Sequence, residues 1–125
     1  HGCAMPLHHQ IASEWAWGDE AHVVANRARY RQKFEAVAPI LSAVLPTPKP
    51  DAGFYLWPQT PVDDEHFTQT IYERAGVSLL PGSYLARETT TGNPGAKRVR
   101  IALVAELSQC VEAAERIAEC LRRGW

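Results

Sequence analysis

The sequence predicts an α+β fold, a small two-layer domain in which a short three-stranded sheet packs on helices, preceded by a long kinked helix. Three observations predict it. Val99, Ile101 and Leu103 alternate with Arg98, Arg100 and Ala102, the period-two pattern of a half-buried strand. Leu107, Val111, Ala114, Ile117, Ala118 and Leu121 fall at three-four spacing, as on an amphipathic helix. Short strand patterns also flank a helical stretch between residues 54 and 80, so that strands and helices segregate into two layers.

The bulk properties bound the function. A chain of 125 residues with a net charge of −1 fits one domain and lacks the basic excess that nucleic-acid binding requires. No apolar run reaches membrane-spanning length, so neither nucleic acid nor membrane is expected as a partner. Cys3, Cys110 and Cys120 are odd in number, and the last two lie about 15 Å apart on one predicted helix, beyond a disulfide's reach. A reducing, cytoplasmic setting is expected. The chain opens at His1 without an initiator Met, from which a fragment of something longer is expected.

In chain order, His1, Cys3, His8 and His9 invite a metal reading, but zinc sites pair such ligands with a second group downstream and none follows. No metal is expected. Pro6 suits the first turn of a helix reaching Trp17, with Gly18 to end it. Asp19 is placed to cap a second helix, whose core stripe is Val23, Tyr30, Phe34, Val37, Leu41 and Val44. Arg27, Arg29, Arg31 and Lys33 read as its solvated face. Pro39 should kink or break it. At about 35 Å it is long for so small a domain and looks like a bridge between two bodies.

Pro46, Pro48 and Pro50 make a stiff connector to a first strand, Phe54–Trp57. Asp63 or Asp64 caps a helix reaching Arg74, ended by Ala75-Gly76, and capping alone explains both carboxylates. Val77–Leu80 reads as a second strand, closed by Pro81-Gly82. A polar loop follows from Ser83 to Ala96, with a turn at Gly92–Gly95. The last helix should be capped by Ser108 and ended by Gly124. The last two strands should be antiparallel neighbours.

Chemistry is sparse. Ser83 lacks the glycine-flanked elbow of serine hydrolases, and no glycine-rich phosphate loop is present. Catalytic and cofactor-binding residues are expected to be none in this chain. The candidate is Arg100: a strand-mounted guanidinium offers a planar fork that matches a carboxylate in two parallel hydrogen bonds. The alternative is a solvated arginine on an edge strand.

Three segments, Gly53-Phe54-Tyr55-Leu56-Trp57, Gly76–Ser83 and Val99–Leu103 before a closing helix, together resemble the C-terminal part of a class I aminotransferase dependent on pyridoxal 5'-phosphate. The opening His1–Pro6 with Gln10 and Tyr30 is similar to succinyldiaminopimelate aminotransferases of bacterial lysine biosynthesis. The resemblance implies that Arg100 binds the substrate α-carboxylate, that Arg98 does not, and that the parent is a dimeric enzyme acting on an amino acid and a 2-oxo acid, with glutamate as donor. It implies that residues 19–125 form the small C-terminal domain and 1–18 a remnant of the large-domain or interdomain helix region. The lysine, aspartate and phosphate cup needed for the cofactor would lie upstream, since Lys33, Lys49 and Lys97 stand in no matching context. The fragment alone should be inactive. Two other readings stay open: an independent amino-acid-binding or regulatory module, and an interaction protein using the basic helix.

Overall fold

The computed structural model describes residues 3–124; His1 and Gly2 of the N-terminal group, and Trp125, lie outside the described residues. Two compact units divide within the second helix, His1–Arg31 and Gln32–Trp125.

In the first unit, α1 (Leu7–Gly18) starts behind Pro6, as proline's fixed φ and missing N–H favour at a helix entry. Gln10 Nε2 donates to the Met5 carbonyl at 2.6 Å across that entry. The helix closes at Gly18, followed by extended Asp19. None of its residues is buried: Trp15 and Trp17 are 78% and 84% exposed. Asp19 Oδ1 accepts the Ala21 N–H at 3.0 Å, capping α2 (Glu20–Ser42) as expected. No three His, Cys, Asp or Glu side chains among the described residues converge as a metal site.

The helix α2 runs 23 residues and contains Pro39, which does not break it. Pro39 is exposed, so the Glu35 carbonyl deprived of its helical donor faces water rather than the core, and the cost of the missing hydrogen bond falls.

The second unit holds the core. Its sheet consists of β1 (Tyr55–Leu56), β2 (Leu80–Pro81) and β3 (Val99–Ala102), ordered β1-β3-β2 and antiparallel throughout. Thus β2 and β3 are neighbours, as expected, and β3 is central rather than an edge. The first two strands are shorter than expected. Val77 and Leu79 pack against the helical core instead of pairing. Pairing then extends through Pro81, which sits opposite Val99 on an edge strand where a missing N–H is tolerated.

Helix α3 (Asp64–Ala75) is capped by Asp63, whose Oδ1 accepts the N–H groups of Glu65 and His66, both at 3.1 Å. It ends at Gly76, φ 65°, a left-handed position suited to glycine. Helix α4 (Leu107–Arg122) is capped not by Ser108 but by Glu106, which forms a reciprocal capping box with Gln109. That arrangement satisfies two otherwise orphaned donors where a lone serine would satisfy one. The core joins Val37 and Leu41 of α2, Phe67 and Ile71 of α3, Ala114 and Ile117 of α4, Val99 and Ile101 of β3, and Leu103 just beyond it. All three helices therefore cover one face of the sheet, and the two-layer α+β expectation holds.

Candidate functional site

The opposite face of the sheet carries the arginines. Along β3 burial alternates, with Val99 and Ile101 buried, Arg100 half-buried and Ala102 exposed. Because directly paired residues share a face, Leu80, opposite Arg100, and Tyr55, opposite Ala102, flank the Arg100 side chain. The guanidinium carbon lies 6.0 Å from the centre of the Tyr55 ring, within cation–π range. Tyr55 is held edge-on by Phe54 and Trp57 at centroid distances of 5.6 and 6.5 Å. Among the described residues no carboxylate forms an ion pair with Arg100. Arg98 is engaged elsewhere, its Nη1 3.5 Å from the Trp57 carbonyl.

Both ends of β3 are tied by charged side chains. Beyond its C-terminal end, Lys33 Nζ donates to the Leu103 carbonyl at 2.9 Å and lies 3.5 Å from that of Val104. Before its N-terminal end stands a polar knot that the sequence reading missed. Asp64 is 1% exposed. Its Oδ2 accepts the Ser83 N–H at 2.9 Å and the Ser83 hydroxyl at 2.6 Å, while Oδ1 accepts the Lys97 N–H at 3.0 Å. Capping therefore explains Asp63 but not Asp64. Burial by itself would push the Asp64 carboxyl up, but the donors from Ser83 and Lys97 outweigh it and hold the pKa below the usual 3.8.

Lys97, the residue so held, has φ 55°, a left-handed conformation that costs a side-chain-bearing residue about 1–2 kcal/mol. Its carbonyl is fixed too, accepting the Thr60 N–H at 2.9 Å. Beside it two glycines meet backbone to backbone. A Cβ on Gly82 would run into the carbonyl oxygens of Gly95 and Arg98, and one on Gly95 into the Gly82 carbonyl. The Gly82 N–H donates to Arg98 at 2.7 Å, and Asn93 Nδ2 donates to the Ser83 carbonyl at 3.1 Å. The loop between Ser83 and Ala96 is thereby closed at its base. The doubled Asp63-Asp64, one more carboxylate than a cap uses, was the available signal.

This chain's residues do not fit pyridoxal 5'-phosphate, which needs a lysine able to form an imine within a phosphate-binding cup. The Lys33 ammonium is spent on the end of β3, while Lys49 and Lys97 are exposed. What the arrangement can do is grip a carboxylate.

The chain is similar to known proteins over nearly all its length. An aminotransferase structure from Neisseria meningitidis is 49% identical and superposes with a TM-score of 0.89 over 98% of this chain and 31% of that one. A probable N-succinyldiaminopimelate aminotransferase from Thermus thermophilus is 41% identical with a TM-score of 0.61, over 74% of this chain and 24% of that one. An LL-diaminopimelate aminotransferase of Desulforudis audaxviator is 36% identical over 60% of this chain and 18% of its own length. The chain thus spans between about a fifth and a third of the length of these relatives. Residues 3–117 match the model of the class I and II aminotransferases, and the chain belongs to that family.

Proposed function

We propose that this chain is the substrate-carboxylate-binding portion of an aminotransferase that moves an amino group between an amino acid and a 2-oxo acid. Residues 19–125 would be its small C-terminal domain and residues 1–18 part of the large-domain or interdomain helix region. The observation that carries the reading is Arg100: a half-buried guanidinium on the central strand, braced by Tyr55, with no carboxylate of the described residues against it. A half-buried arginine without an internal carboxylate partner suits an external one. Its two parallel donors fix the orientation of the bound acid as well as its position, which is the requirement for presenting an amino group to a reaction centre. Tyr55 and Leu80 narrow the approach to the fork.

Pyridoxal 5'-phosphate would be held by polypeptide outside this chain, in a cytoplasmic homodimer. Two of the relatives are named for diaminopimelate substrates, which supports N-succinyl-diaminopimelate and glutamate as the substrate pair, in lysine biosynthesis. Among the described residues no helix is long and apolar enough to cross a membrane.

The test is a polypeptide extended upstream of His1. It should take up pyridoxal 5'-phosphate, with its visible absorbance, and transaminate, whereas residues 1–125 alone should do neither. Arg100→Lys should leave that absorbance intact and lower kcat/KM by about 10- to 100-fold, the equivalent of one charged hydrogen bond. An unchanged kcat/KM removes Arg100 from the site.

A further inference from the structure

We propose that Asp64 is a positioning residue for Arg100, its buried carboxylate fixing the backbone from which the guanidinium is aimed. This rests on the carboxylate-binding reading of Arg100. One carboxylate joins three separate segments: its own helix α3, Ser83 at the start of the polar loop, and Lys97 at the loop's end. Lys97 lies three residues before Arg100, and its left-handed φ sets the direction in which the strand leaves the loop. Without an acceptor on its N–H, nothing in the local sequence would hold a lysine in that conformation. Side-chain direction on a strand follows the backbone, so a change in the entry to β3 turns the plane of the Arg100 fork. A bidentate contact is sensitive to that plane, whereas a single charge–charge contact is not.

The opposite end of β3 is fixed independently by Lys33 on the carbonyls of Leu103 and Val104. Loss of Asp64 therefore leaves the strand in place and loosens only its entry. The other face of the strand, packed on the helices, has no comparable freedom.

The experiment compares Asp64→Asn, Ser83→Ala, Arg100→Lys and the double variant D64N/R100K in the cofactor-loaded aminotransferase that carries this chain. Asp64→Asn replaces one acceptor by a donor. It should raise KM for the amino-acid substrate by about fivefold or more, with kcat within about twofold of wild type. In the Arg100→Lys background it should add nothing further to KM, because the two residues act through one contact. Amide exchange at Lys97 should quicken while that of α4 does not.

A fall in kcat at constant KM is the signature of a smaller folded fraction and overturns the proposal. So does an Asp64→Asn effect that persists in full beside Arg100→Lys. If Arg100→Lys itself leaves kcat/KM unchanged, the carboxylate reading falls and this inference with it. If Arg100→Lys raises KM and Asp64→Asn does not, only this inference falls. Should Asp64→Asn not fold, Ser83→Ala, which removes one of three donors, decides by the same criteria with an expected KM rise of about twofold.

Discussion

Asp64 and Arg100 are opposite cases of what a charged side chain does when partly removed from water. Asp64 is fully enclosed and meets three donors; Arg100 is half-enclosed and meets an aromatic face. The first is an internal bond of the fold, while the second has no ion pair with a carboxylate of the described residues. Because the donors hold the Asp64 pKa below its usual 3.8, its contribution to stability has a definite sign. It is fully present above the unfolded-state pKa of 3.8 and is lost as the pH falls through the lower folded-state value. The stability gap between wild type and Asp64→Asn should therefore narrow as the pH is lowered from about 5 toward 2, as urea midpoints at each pH will show. A gap that stays constant with pH contradicts it. The place of Arg100 on a strand was legible because alternation along six residues is a local signal. Asp64 was not, since its partners lie 19 and 33 residues away and a neighbouring capping carboxylate supplied a sufficient local explanation.

At the scale of elements, helices were more legible than strands. Gly76, Asp63 and Asp19 mark helix ends by chemistry that acts within four residues, and each stands where it was expected. The strands are two to four residues long and owe their extent to partners distant in sequence, so Val77–Leu80 looked like a strand and Pro81 like its end. Glu106 was missed as a cap because its advantage over Ser108 depends on the answering Gln109. The contact of Gly82 with Gly95 is the tightest constraint on the sheet's edge. Alanine at Gly82 would press on two carbonyl oxygens and meet the Trp57 ring at 3.0 Å, with no flexible side chain able to yield on the backbone side. Gly82→Ala should lower stability by about 3 kcal/mol or more, measured as a shift in denaturation midpoint. A loss near the ordinary cost of a surface substitution would show that the backbone can move apart.

At the scale of the whole molecule, the two units differ in what they bury. The core of the second unit was predictable from periodicity, whereas in the first unit no residue of α1 is buried. Burying a tryptophan contributes on the order of 2–3 kcal/mol, and α1 leaves two of them in water. Collisional quenching should reach Trp15 and Trp17 freely in the 125-residue chain, and replacing both by Phe should lower the quenchable emission. In a polypeptide extended upstream the same two residues should become protected. Equal quenching in both would mean that α1 stays bare and would favour the self-sufficient module over the enzyme portion. Sequence alone left these readings side by side, because no residue pattern in it says what would cover Trp15 and Trp17.

The glycine contact has one more effect. Since the loop leaves and returns through the same pair of glycines, its far end at Thr89–Gly92 is mechanically insulated from the sheet. Lengthening such a tip costs only about 0.6 kcal/mol per doubling, so the fold tolerates insertions at Thr89–Gly92 with little strain passed to β3.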